Sequence, residues 1–119
     1  EKADDFVLAT GIKISVRDFI NMAFKEVGIE LKWEGKAEQE KGINVANGKI
    51  VVEIDPKYYR PAEVDLLVGD ATKARIELGW TPTYTVQSLC KEMVQNDVEL
   101  FKRDKYLLEG GHKVLNYKE

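Results

Sequence analysis

The residues best suited to chemistry lie in one short block, Tyr58-Tyr59-Arg60-Pro61-Ala62-Glu63-Val64-Asp65. Pro61 disfavours the helical region for Arg60 and pushes it toward an extended backbone. An arginine on such a stretch presents a planar fork of donors that matches a phosphate or a carboxylate. Glu63, three residues on, can accept hydrogen bonds from a pair of hydroxyls. A ribose beside a diphosphate offers that combination of groups. The competing reading is a plain surface Arg–Glu pair, worth under about 1 kcal/mol.

Other candidates are weaker. Residues 69–82 read as a capped helix with a glycine stop, so Lys73 and Arg75 are expected in solvent. Trp80 is expected to bury its ring against a sheet. Lys36, Glu38, Glu40 and Lys41 form a mixed-sign loop of the kind that keeps a surface soluble. Tyr58, Tyr59, Trp80 and Tyr84 can stack on a base, although packing is their commoner use. Cys90 falls on the apolar side of a helix and reads as a small buried hydrophobe. His112 is assigned no role.

Composition removes whole classes. The chain has 119 residues, 44% hydrophobic and 33% charged, which suits one small folded unit. Its net charge of −3 argues against a nucleic-acid partner. No apolar run approaches the roughly 20 residues of a membrane helix, and no secretory leader is visible. A single cysteine and a single histidine offer neither an internal disulfide nor a Cys/His metal cluster. Cysteine usage fits a cytoplasmic location. The dinucleotide fingerprint, the P-loop and the nucleophile elbow are all missing from the sequence. The chain therefore does not read as a complete nucleotide-cofactor enzyme.

The elements that must position the block follow from patterning. Residues 5–10 form a short apolar run and predict a buried strand. Ser15 and Asp18 fit a capping box, followed by Val16, Phe19, Ile20, Ala23, Phe24 and Val27 at helical spacing, which predicts a helix over about 16–27 ended by Gly28. Residues 29–33 alternate as a half-buried strand. Asn47-Gly48 between residues 43–46 and 49–54 predicts a hairpin with a type I′ turn and positive φ at both residues. Asp55-Pro56 ends it. Residues 64–68 read as a short buried segment. Asp70 is the expected cap of a helix over 71–78, and Thr85 of a last helix over about 86–103. The resulting class is α+β, or mixed α/β, with about five short strands. Residues 1–103 form the folded part, and 104–119 are expected to be a flexible tail.

From Asp55 to Pro82 the sequence D-P-K-Y-Y-R-P-A-E-V-D-L-L-V-G-D-A-T-K-A-R-I-E-L-G-W-T-P resembles the C-terminal part of extended short-chain dehydrogenases/reductases that act on nucleotide-sugars. Within that group it is most similar to the GDP-mannose 4,6-dehydratase family, with support from residues 5–11, 15–19, 40–43 and 92–97. The resemblance covers about residues 4–103. It implies the small substrate domain of a longer enzyme, whose Rossmann part is absent here. That missing part binds NADP and supplies the catalytic residues, so this chain alone is expected to be inactive.

The family activity implied is a lyase reaction, an NADP-dependent internal redox dehydration of GDP-mannose to GDP-4-keto-6-deoxymannose, a GDP-fucose precursor. The family motif would set Arg60 on the diphosphate and Glu63 on the ribose. Expected partners are GDP-mannose, the Rossmann portion and further copies in a homo-oligomer, with no nucleic acid and no membrane. Two alternatives stay open: a domain of another nucleotide-sugar epimerase or reductase, and a non-catalytic α+β interaction module.

Overall fold

Ser15 starts the first regular element. Its hydroxyl oxygen accepts the Asp18 amide at 3.0 Å and its proton goes to the Asp18 carboxylate at 2.7 Å, satisfying donors that a helix start leaves open. Helix α1 follows over Val16–Glu26. Gly28, at φ +75°, turns the chain away, with the Ile29 amide closing back on the Phe24 carbonyl at 3.0 Å. Phe19, Ile20, Ala23 and Phe24 are half-buried, as their spacing predicts. The computed structural model describes residues 2–62 and 67–114.

Three strands make the sheet: β1 (Leu31–Glu34), β2 (Lys41–Asn44) and β3 (Ile50–Glu53). They pair antiparallel in the order β1-β2-β3, with Trp33 opposite Gly42 and Gly42 opposite Val52. A Cβ at Gly42 would meet Val52 Cβ at 3.0 Å and Trp33 Cη2 at 3.4 Å. Glycine lets these two side chains close over the middle strand.

The hairpin is present, but its turn differs from the type I′ expectation. Among the described residues only Ala37 combines a side chain with positive φ, so Asn47 does not; Gly48 does, at +67°. The loop runs over residues 45–49, with the Gly48 amide on the Asn44 carbonyl at 2.8 Å. The buried Asn44 side chain explains the longer turn: its oxygen takes the Ala46 amide at 2.9 Å, and Asn47 takes the Lys49 amide at 3.0 Å. Side-chain bonds of this kind offer the backbone an alternative to the tight turn.

Helix α2 covers Thr72–Leu78 and helix α3 covers Val86–Glu109. Asp70 reaches the Thr72 amide at 2.9 Å from one residue ahead of the cap position. Gly79, at φ +65°, stops α2 in a left-handed cap. Thr85 and Ser88 exchange side-chain and backbone bonds in a capping box. The last helix runs six residues past its expected end at 103. Apolar patterning fades at Asp104, but good helix formers continue, tied by Lys102–Glu99 at 3.3 Å and Lys105–Glu109 at 3.8 Å. A solvated helix end needs no apolar stripe. Residues 115–119 of the expected tail lie outside the described residues.

Two further expectations are corrected. Residues 5–10 form no strand, and Val7 and Leu8 are 55% and 60% exposed, because no strand among the described residues pairs beside them. Of the segment expected to be buried at 64–68, residues 64–66 lie outside the described residues, while Leu67 is 80% exposed. The class observed among the described residues is mixed α/β with three strands rather than about five.

The fully buried apolar side chains among the described residues are few: Ala71, Ala74 and Cys90. Cys90 sits where α3 packs on α1. The chain exposes 10624 Å², against about 6,600 Å² for a self-contained monomer of this mass. Its radius of gyration is 19.0 Å, against about 13–14 Å for a compact domain of this length. Much apolar surface that a single domain would cover is therefore open.

Candidate functional site

The loop that carries Arg60 is set by the end of β3. Asp55 accepts the Lys57 amide on its side chain at 2.9 Å and the Tyr58 amide on its carbonyl at 3.0 Å. This turn fixes the exit of the hairpin and points the chain into the Tyr58–Arg60 stretch. Lys57 lies over the Tyr58 ring at 5.0 Å. Tyr58 is 66% exposed, Tyr59 is half-buried, and Arg60 is exposed. Glu63, the second residue of the sequence-derived pair, lies outside the described residues, as do Val64 and Asp65. Arg60 thus sits as an exposed residue on a loop anchored at one end to the sheet.

The other candidates separate. Trp80 is half-buried and Tyr84 is 50% exposed. A hydrogen bond to Glu92 holds the Tyr84 phenol above its ordinary pKa, since it favours the protonated form. Burial pushes the Cys90 thiol up, with Glu26 adding to it, so this cysteine is no activated nucleophile. Lys36 and Glu38 are exposed, as a solvated loop would be. Glu40 is not: it is tucked to 19% exposure against Arg17.

That contact belongs to a cluster the sequence does not reveal. Arg17 on α1 pairs with Glu40, which precedes β2, and its guanidinium lies over the Trp33 ring at 5.7 Å. Trp33 Nε1 donates to Asn21 Oδ1 at 2.8 Å. Two residues of α1, one of β1 and one from the loop before β2 thus tie α1 to the sheet. Beside it, Asn21, Lys25 and residues 28–31 line an open cleft of ≈ 470 Å³. Lys73 also departs from the solvated expectation. It binds Asp4 at 2.7 Å and the Asp5 carbonyl at 3.0 Å, and covers the Phe6 ring at 4.8 Å.

The residues present do not fit a dinucleotide cofactor. Pyrophosphate cradles of that type need a strand, a glycine-rich turn and a helix feeding a parallel strand. Here the sheet is wholly antiparallel among the described residues. No group of three or more His, Cys, Asp or Glu able to hold a metal ion occurs among them either, and no helix is long and apolar enough to cross a membrane.

Comparison with known proteins gives a consistent result. A family described as GDP-mannose 4,6 dehydratase matches residues 1–93. The chain is 46% identical to a GDP-mannose 4,6-dehydratase of Vibrio cholerae, over 96% of this chain and 33% of that protein. It is 52% identical to GDP-mannose 4,6 dehydratase 2 of Caenorhabditis elegans, over 85% of this chain and 26% of that protein. A Dictyostelium discoideum relative of the same name is 50% identical over 89% of this chain and 30% of its own length. The chain spans about a third or less of the length of these curated relatives.

Proposed function

The chain belongs to the GDP-mannose 4,6-dehydratase family, and from that premise we propose that it is the substrate-binding portion of such an enzyme. The parent is an extended short-chain dehydrogenase/reductase that dehydrates GDP-mannose to GDP-4-keto-6-deoxymannose. The observation that carries this reading is the 46–52% identity to relatives of that name over most of the chain. The open apolar surface supports a chain made to pack against a larger body.

In this reading Arg60 and Glu63 are binding residues. The Arg60 guanidinium neutralises the sugar-nucleotide diphosphate, and the Glu63 carboxylate accepts the ribose hydroxyls. Fixing both groups orients the hexose toward the catalytic residues of the remaining part, which also holds NADP. The sites for hydride and proton movement lie in that part, so the isolated chain binds without turning over. In this reading the remaining part covers Val7, Leu8, Leu67, Ile76 and Leu78, each exposed in this chain. The enzyme works in the cytoplasm as a homo-oligomer.

The test is to join this chain to the preceding two thirds of the Vibrio cholerae relative and to follow GDP-mannose with NADP. Formation of the 4-keto-6-deoxy product supports the reading. A folded chimera that leaves GDP-mannose unchanged, or that epimerises or reduces another nucleotide-sugar, overturns it.

A further inference from the structure

Asn47-Gly48 is the one asparagine–glycine pair in the sequence. Both residues are exposed in the loop between β2 and β3. An asparagine carboxamide is chemically labile where the next backbone amide can reach its Cγ. Glycine hinders that approach least, because it has no Cβ and moves freely between backbone regions. Nothing lies within 4 Å of where a Cβ at Gly48 would stand, so the loop has room to reshape.

The hydrogen bonds of the loop prepare one reacting group and hold back the other. Asn47 Oδ1 accepts the Lys49 amide at 3.0 Å, which draws electrons away from Cγ. The Gly48 amide, which must attack that carbon, donates to the Asn44 carbonyl at 2.8 Å. It becomes a nucleophile only when the loop opens and its proton is released, so folding slows the reaction without blocking it. The other described asparagines are held more firmly. Asn44 is buried, takes the Ala46 amide at 2.9 Å and is followed by the β-branched Val45. Asn21 and Asn96 lie inside α1 and α3, where the following amide belongs to the helix.

We propose that Asn47 is a site of spontaneous modification, converted through a cyclic imide to aspartate and isoaspartate at a rate set by opening of the Gly48–Asn44 bond. The Gly48 nitrogen gives its proton to solvent and bonds to Asn47 Cγ. The Cγ–Nδ2 bond breaks, and the nitrogen takes up a proton and leaves as ammonia. Water then opens the ring. Cleavage of the new N–Cγ bond gives aspartate in normal linkage, and cleavage of the original peptide bond leaves the main chain running through the side chain. One water is consumed and one ammonia released, with no change of oxidation state. The two products differ in effect. Normal aspartate keeps an oxygen for the Lys49 amide and so keeps the loop. Isoaspartate lengthens the main chain between Asn44 and Lys49, whose backbone bond of 2.9 Å closes the loop at its base, and the end of the hairpin loosens. None of this depends on the substrate, so its failure leaves the enzymatic reading standing.

The test is to age the 119-residue chain in mildly alkaline buffer, with and without urea, and to map its peptides by mass spectrometry with fragmentation that separates the two linkages. Conversion at position 47 should run about tenfold or more ahead of that at Asn21, Asn44 and Asn96, and about three- to tenfold slower in the folded chain than in urea. Asn47→Gln should stop conversion at this position, because ring closure from the longer side chain is slow. Asn47→Asp should unfold at the temperature of the fresh chain, whereas the purified isoaspartate fraction should unfold at a lower one. An Asn47 as durable as the other three asparagines overturns the proposal. So do equal rates in buffer and urea, or an isoaspartate fraction as stable as the fresh chain.

Discussion

Lys73 Nζ stands 2.7 Å from Asp4 Oδ2, which ties the first turn of α2 to the opening residues of the chain across 69 positions of sequence. The same ammonium takes the Asp5 carbonyl and covers the Phe6 ring. Its hydrogen bond and its charge hold the Asp4 carboxyl below the ordinary 3.8. A carboxylate lowered in the folded state contributes stability that is present above the ordinary value and is lost as pH falls through the lowered one. Asp70, lowered by its bonds to Thr72, acts in the same direction at the same helix end. The Asp4–Lys73 contact is therefore expected to weaken as the pH falls below the ordinary carboxylate value. Ring proton shifts of Phe6 followed by NMR report the weakening. In Lys73→Ala the Asp4 titration should move up toward its ordinary value, and an unmoved titration would count against the contact.

Gly69 is where this docking is tightest. A Cβ there would fall 2.4 Å from Ala9 Cβ and 3.7 Å from Val7 Cγ1. Gly69→Ala should destabilise the chain by about 1–3 kcal/mol through overpacking. Adding Ala9→Gly removes the colliding methyl and should recover most of the loss. Thermal unfolding of the two variants measures both effects, and additive losses would show that the two residues do not meet.

The bond from Trp33 to Asn21 joins the sheet to α1. Asn21→Ala leaves a half-buried indole N–H without its acceptor and should cost about 1 kcal/mol, whereas Asn21→Asp keeps an acceptor and should cost less. Urea unfolding followed by tryptophan emission separates them. Equal losses in both variants would place the stabilisation elsewhere.

Local signals account for what the sequence revealed. Ser15, Gly28, Gly79 and Thr85 act on their own neighbours, so the helix boundaries they set are legible. Asn47-Gly48 marked the hairpin for the same reason, but the turn type escaped because Asn44 pins the loop from outside the dipeptide. The strand expected at residues 5–10 needs a neighbour that the described residues do not provide, and an apolar run alone cannot report that. Lys73 and Arg17 were hidden because their partners, Asp4 and Glu40, lie far away in sequence. At the candidate site the sequence singles out Arg60 by its type and by Pro61, and the structure shows it as an exposed loop residue. What a guanidinium faces depends on the body that packs beside it, which periodicity in this chain does not encode.

The most direct test of the substrate-binding reading is the Michaelis constant for GDP-mannose in the joined enzyme with and without Arg60→Ala. Loss of a charge-assisted contact of about 1.5–3 kcal/mol predicts a KM raised roughly 10- to 150-fold with kcat little changed. A KM equal to that of the unsubstituted enzyme would contradict the placement of this arginine on the diphosphate.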